Sequence, residues 1–126
     1  MTYQEIVHPD GRQEWRLDGK LHRYGGPAVT YPNGAEYWCQ HDELHREDGP
    51  AIIYSDGTQE WWLNNELHRE DGPAAIYPDG TQEWWLNNEL HREDGPAVVH
   101  ANGAQEWWLR GKYYEDEFVF RMMVAR

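Results

Sequence analysis

The run from Asp56 to Ala74, DGTQEWWLNNELHREDGPA, recurs letter for letter from Asp79 to Ala97, 23 residues further on. An internal copy this close leaves few folds open, because both copies must adopt one conformation and stack on like neighbours. The same spacing, without insertion or deletion, organises nearly all of the chain. Glycine recurs at Gly11, Gly34, Gly57, Gly80 and Gly103, and tryptophan at Trp15, Trp38, Trp61, Trp84 and Trp107. A leucine column follows at Leu21, Leu44, Leu67 and Leu90, ending in Tyr113. His-Arg pairs come next at His22-Arg23, His45-Arg46, His68-Arg69 and His91-Arg92, and each block closes on Gly-Pro-Ala, at Ala28, Ala51, Ala74 and Ala97. A period of this size marks a repeat array whose units cannot bury their apolar faces alone.

The local chemistry of each unit is that of hairpins. Tyr31-Pro32-Asn33-Gly34 and Tyr77-Pro78-Asp79-Gly80 place proline where φ is near −65° and glycine where φ is positive. A second turn follows, occupied by Asp18-Gly19, His41-Asp42, Asn64-Asn65, Asn87-Asn88 and Arg110-Gly111, pairs suited to the left-handed conformations of two-residue loops. The run Thr58–Leu63 between the turns is too short for a helix and rich in aromatics, so it reads as a strand. Pro73 cannot donate to a ladder and belongs at a strand start or a bulge. About two strands per repeat are expected. Alternation along the strand puts Trp61 with Leu63 on one face and Glu60 with Trp62 on the other, which makes the column Trp15, Trp38, Trp61, Trp84 and Trp107 the expected core stripe.

The expected fold is all-β, an elongated antiparallel meander or solenoid of stacked hairpin repeats in a single domain, 1–126. The array spans 6–112, starting in mid-unit because Ile6-Val7 aligns with Val29-Thr30, and a cap spans 113–126. Acidic Glu115-Asp116-Glu117 ahead of Arg121 and Arg126, with no glycine or proline between, reads as a short helix, with Phe118-Val119-Phe120 as a last strand the alternative. Either form would cover the open end of the array.

The order of Tyr or Glu, Trp, a two-residue turn, His, Gly, a β-branched run and Asp-Gly on a 23-residue unit resembles the MORN repeat and its bacterial variants over residues 6–112. Where that family has glycine just after the histidine, this chain carries Arg69-Glu70-Asp71 and its equivalents before Gly-Pro. The resemblance implies a twisted sheet of stacked hairpins used for protein association, sometimes for phospholipid contact, and found in small antitoxin-like proteins.

Charge narrows the partners. A formal net charge of −12 opposes nucleic-acid and anionic-membrane surfaces, which draw clustered Lys and Arg, and points to a basic partner or simply to solubility. The single cysteine, Cys39, forms no intrachain disulfide, the N-terminus MTYQEIVHPD lacks an apolar signal core, and no apolar run approaches membrane-spanning length. A soluble, cytoplasmic protein is the expectation.

Catalytic and metal chemistry find little purchase. Histidines of one column, separated by two strands, stand roughly 10 Å apart, too far to share one ion. No metal site, cofactor or catalytic residue is expected, and the chain reads as no enzyme. Each His-Arg pair reads as a clasp that fixes its own loop through Asp and backbone groups. Cys39 and His41 share a strand face as a thiol and base would, but the cysteine occurs in one repeat only and reads as passive.

The column after the tryptophans reads Arg16, Cys39, Trp62, Trp85, Trp108. Its three rings either are covered by Phe118, Phe120, Met122 and Met123 folding back, or form a stripe for a partner or for a symmetric homodimer. The function expected is a non-catalytic protein-binding or scaffold module, an acidic inhibitor of a basic-surfaced partner, with Trp62, Trp85, Trp108, His68, Arg69, His91 and Arg92 as the contact residues. The alternative is a small-molecule binder that holds a nucleotide-like ligand between Trp rings, with the His-Arg loops on its anionic groups.

Overall fold

The computed structural model describes residues 2–126. Among them the chain is built of β-strands followed by one short C-terminal helix, Glu117–Val124. It divides into two compact units, Met1–Glu66 and Leu67–Arg126.

In the first unit an antiparallel meander runs through Tyr3–Val7, Gln13–Leu17, Val29–Thr30, Glu36–Tyr37, Ile52–Ile53 and Gln59–Glu60. In the second the order is Ala75–Ile76, Gln82–Glu83, Val98–Val99, Gln105–Leu109 and Lys112–Tyr114, again with sequential neighbours antiparallel. The register is constant from repeat to repeat: Val29 faces Tyr37, Ile52 faces Glu60, Ala75 faces Glu83 and Val98 faces Glu106.

The expected count of two strands per repeat is corrected to two hairpins. In the inner repeats the run through the tryptophan is interrupted: Glu36–Tyr37 belongs to the meander, and Cys39–Gln40 pairs instead with Glu43–Leu44 in a small hairpin of its own. Trp38 is the corner. Its N–H donates to the Ala51 carbonyl in the meander, while its own carbonyl accepts the His45 N–H from the return of the small hairpin. Trp84 does the same with Ala97 and His91. Only at the ends, in Gln13–Leu17 and Gln105–Leu109, does one strand run unbroken through the tryptophan.

The turn chemistry follows the reading from residue types. Gly34 lies at φ +94° and accepts no side chain there without strain, its N–H donating to Tyr31 and Asn33 Oδ1 capping Ala35 N–H. The small hairpins turn on paired left-handed residues, such as Asn87 (φ 48°) and Asn88 (φ 66°). The second of these also ties consecutive repeats together. Asn88 donates its N–H to the Leu67 carbonyl and accepts the Leu67 N–H on Oδ1 at 2.7 Å, so its amide oxygen replaces a ladder carbonyl. Asp42 treats Leu21 in the same way.

The residues fully withdrawn from solvent are the small ones after proline. Ala28, Ala51, Ala74 and Ala97 are 0 % exposed, and Val29, Ile52, Ala75 and Val98 beside them are buried. Ala51 explains the size limit: its carbonyl receives Trp38 N–H and its N–H donates to Glu60, which leaves its methyl enclosed between two strands. Of the tryptophan column only Trp107 is buried; Trp15, Trp38, Trp61 and Trp84 are half-buried.

The helix begins at Glu117, later than the expected cap boundary, because Lys112–Tyr114 still pairs with Gln105–Leu109 as a regular repeat hairpin. Asp116 caps it, accepting the Phe118 N–H on its side chain, and Glu117 pairs with Arg121 one turn on. Phe120 is 0 % exposed and packs on Trp107 at 5.0 Å and Tyr114 at 6.3 Å between ring centroids. Of the alternatives left open for the second tryptophan column, the one in which the tail folds over it is not what the structure shows. The tail's one buried ring lands on Trp107, and Phe118 and Met122 face solvent at 71 % and 53 % exposure. The eight-residue helix has one apolar anchor of the right geometry, since Phe118 and Met122 lie away from the face that Phe120 presents.

Candidate functional site

The loops after each small hairpin carry the densest exposed charge, and their form follows from one arginine. Arg92 lies over the Trp84 ring with its guanidinium carbon 3.9 Å from the centroid. Its Nε–H donates to Asp94 Oδ1 at 2.9 Å and its Nη1 to the Pro96 carbonyl at 3.1 Å. Gly95 closes the other side: a Cβ there would come within 2.8 Å of the guanidinium carbon. Cation–π contact, a charge-assisted hydrogen bond and a carbonyl thus fix the position of the arginine. Arg46 repeats the arrangement with Trp38 (3.6 Å), Asp48, Pro50 and Gly49. Arg69 likewise holds Asp71 and the Pro73 carbonyl against Gly72.

The histidine ahead of each arginine is equally engaged. His45 Nδ1 accepts the Asn64 N–H, His68 Nδ1 that of Asn87, and His91 Nδ1 that of Arg110, at 2.8–3.0 Å. An Nδ1 acceptor places the ring proton of the neutral form on Nε2, where Glu47, Glu70 and Glu93 stand at 3.4, 3.6 and 3.8 Å.

What this leaves for solvent is acid. The side chains of Glu47 and Asp48, Glu70 and Asp71, and Glu93 and Asp94 are 67–87 % exposed. The hydrogen bond from Arg92 holds the Asp94 carboxyl below its usual range, and Arg46 does the same for Asp48. In the second unit the loops at Arg69–Pro73 and His91–Asp94 flank an open groove of about 640 Å³, with Trp84 and Leu86 on its wall and four carboxylates, Glu70, Asp71, Glu93 and Asp94, along its rim. In the first unit Trp38, Gln40, Glu47 and Asp48 line a smaller one of about 230 Å³.

The second tryptophan column is held by a device that the residue pattern signalled only in part. Trp62, Trp85 and Trp108 donate their indole N–H to Glu60, Glu83 and Glu106, the residues two back on the same face, at 2.9–3.0 Å. The Tyr54 and Tyr77 hydroxyls donate to Glu60 and Glu83 as well, and His100 Nε2 lies 2.7 Å from Glu106. The His100 hydrogen bond, with that from Trp108, holds the Glu106 carboxyl below its usual range. The shared face of Glu60 and Trp62 was legible from alternation, but the carboxylate as an anchor was not, because its tyrosine partner lies six residues back across a turn. The three rings are half-buried and oriented rather than loose.

Of the residues expected to meet a partner, then, Trp85, Trp108, His68, Arg69, His91 and Arg92 lie in the second unit, Arg69, His91 and Arg92 lining its groove together with Trp84. Trp108 turns its ring to Tyr113 at 5.3 Å, and Trp62 belongs to the first unit. The four groove carboxylates were not among the expected contact residues, although the Glu-Asp that repeats after His-Arg was already marked as a departure from the family pattern.

Cys39 is buried, and burial, with the Asp42 charge second, pushes its thiol up to about 11, which leaves no thiolate for nucleophilic work at neutral pH. Among the described residues no three His, Cys, Asp or Glu side chains converge on a point that could hold a metal ion, and no helix is long and apolar enough to cross a membrane. No protein-family model matches the chain, and no curated protein matches it.

Proposed function

We propose that this chain is a non-catalytic binding module of MORN-like type, cytoplasmic, whose acidic loops engage a basic-surfaced protein and occupy that surface as an inhibitor would. The observation that carries the reading is the set of exposed Glu-Asp pairs mounted on arginines that Trp, Asp and a carbonyl hold in place. Those arginines are each already paired with an aspartate and largely withdrawn from solvent, which weighs against a nucleotide-like ligand, whereas the carboxylates are exposed to Lys or Arg. Rigid mounting lowers the entropy lost on binding, and like charges along the rim raise the rate of encounter with a cation-rich partner.

A Lys/Arg-rich peptide titrated against the chain by calorimetry at about 50 and 300 mM salt tests this, the Debye length shrinking severalfold over that range. Affinity should fall steeply with salt, and Glu70→Gln with Glu93→Gln should weaken it while thermal stability holds. Binding that ignores both salt and these substitutions would remove the acidic rim from the function.

A further inference from the structure

The first His-Arg loop departs from the other copies at one histidine. His22 is 0 % exposed, the one polar side chain among the largest wholly buried residues. Its Nδ1 accepts the His41 N–H at 3.0 Å, the same inter-repeat bond that the other histidines make. Its Nε2 has no hydrogen-bond partner. The reason lies in the sequence: Tyr24 stands where the later repeats have Glu47, Glu70 and Glu93. No carboxylate therefore faces Nε2.

The rings around His22 are two tyrosines and one further imidazole. Tyr3 approaches from the first strand with centroids 6.4 Å apart, Tyr24 meets it edge to face at 4.6 Å, and the His41 ring lies at 4.4 Å. Of the charged neighbours in chain, Asp42 accepts the Leu21 N–H on Oδ1 and Arg23 lies over Trp15, 4.7 Å from its centroid. We propose that the His22–His41 stack is an acid-sensitive latch, which in its neutral form pins the Cys39–Leu44 hairpin to the first repeat and releases it when His22 takes up a proton.

The chemistry of release is a change of role. Protonation puts a hydrogen on Nδ1, which turns the acceptor of the His41 N–H into a second donor pointed at it. The cation then sits without counter-charge in a site closed to water, against a second imidazole. Burial first, and His41 second, hold the His22 imidazole below its usual range in the folded protein, while in an opened chain it titrates near the ordinary value. The opened form thus binds protons more readily. The latch is complete above about pH 6.5, the ordinary imidazole value, and weakens as pH falls below it. The later histidines would meet the same proton with a glutamate beside Nε2, so the first repeat opens first.

Amide exchange of the full chain followed by NMR at pH 7.5 and 5.5 tests the latch. The His41 amide, bonded to His22, should lose protection by about tenfold, the factor by which an imidazole freed to titrate near pH 6.5 gains protons over that interval. The Asn64 amide, bonded to His45 with Glu47 nearby, is the internal reference and should lose clearly less. Tyr24→Glu, at a position 65 % exposed, puts a carboxylate where the later repeats have one and should abolish most of the His41 loss. Equal losses at His41 and Asn64, or an undiminished His41 loss in Tyr24→Glu, would overturn the proposal.

Discussion

Trp84 and Trp107 occupy the same column of the repeat, yet they are covered by opposite means. Trp84 keeps a guanidinium on its face, and because Arg92 must also reach Asp94 and a carbonyl at the surface, the ring stays half-open. Eight residues after Trp107, where the other units have arginine, stands Glu115, so no clasp forms there. The helix fills the vacancy: Phe120 packs on the ring and Arg121 comes over it at 5.4 Å, and Trp107 is the buried member of its column. A polar clasp suits an inner repeat, which has a neighbour to lean on. The end of the array needs apolar area, since a last strand without a following unit would otherwise leave its largest ring to solvent.

The contrast is most severely tested at Phe120. Phe120→Ala removes a fully buried ring and should cost about 3–5 kcal/mol in urea unfolding, the range for such truncations; a loss under about 1 kcal/mol would mean that the helix is an appendage and Trp107 is held by its strand alone. Gly95→Ala probes the clasp. Gly95 has no positive φ, so its substitution strains no backbone, and the new methyl acts only by pushing the guanidinium from Trp84. The loss of one cation–π contact predicts about 1 kcal/mol, with a rise in Trp84 exposure to a fluorescence quencher. Unchanged quenching would show that Arg92 does not shield the ring. Asp94→Asn should have the smallest effect, because the pair is exposed and water replaces it well. Its signature is an upfield move of the Arg92 Nε–H resonance at unchanged melting temperature, and a drop in melting temperature as large as that of Gly95→Ala would make the tether rather than the stack the source of stability.

The repeat's period, its turn positions and the hairpin character of each unit were all legible in residue types, because glycine, proline and asparagine act on the two or three bonds nearest them. Gly34, Asn87 and Asn88 adopt the positive φ that their chemistry allows. The clasp role of the arginines was legible for a related reason, since the partners of Arg92, Asp94 and Pro96, follow within four residues; the histidines were expected to fix the same loop and instead bond the turn of the next repeat, 19 residues on. The break at Trp38 was not, since a tryptophan is a good strand residue on any local scale. The chain leaves the meander there because Ala51 and His45, seven or more residues away, claim its N–H and its carbonyl in different directions.

By itself, then, the amino-acid sequence determined the repeating unit, the turns that bound it and the acid that it displays, all properties carried by residues and their near neighbours. The tertiary structure alone decided which residues are enclosed. Burial went to the four alanines after proline rather than to Trp38, Trp61 and Trp84, because the methyl lies between two strands while the inner indoles stand at a corner. It also decided that one histidine of four, His22, lies sealed without a partner for Nε2, through a tyrosine that replaces a glutamate and rings brought to it from the first strand and the next turn. Enclosure depends on contacts between segments far apart in the chain, and no local pattern encodes it.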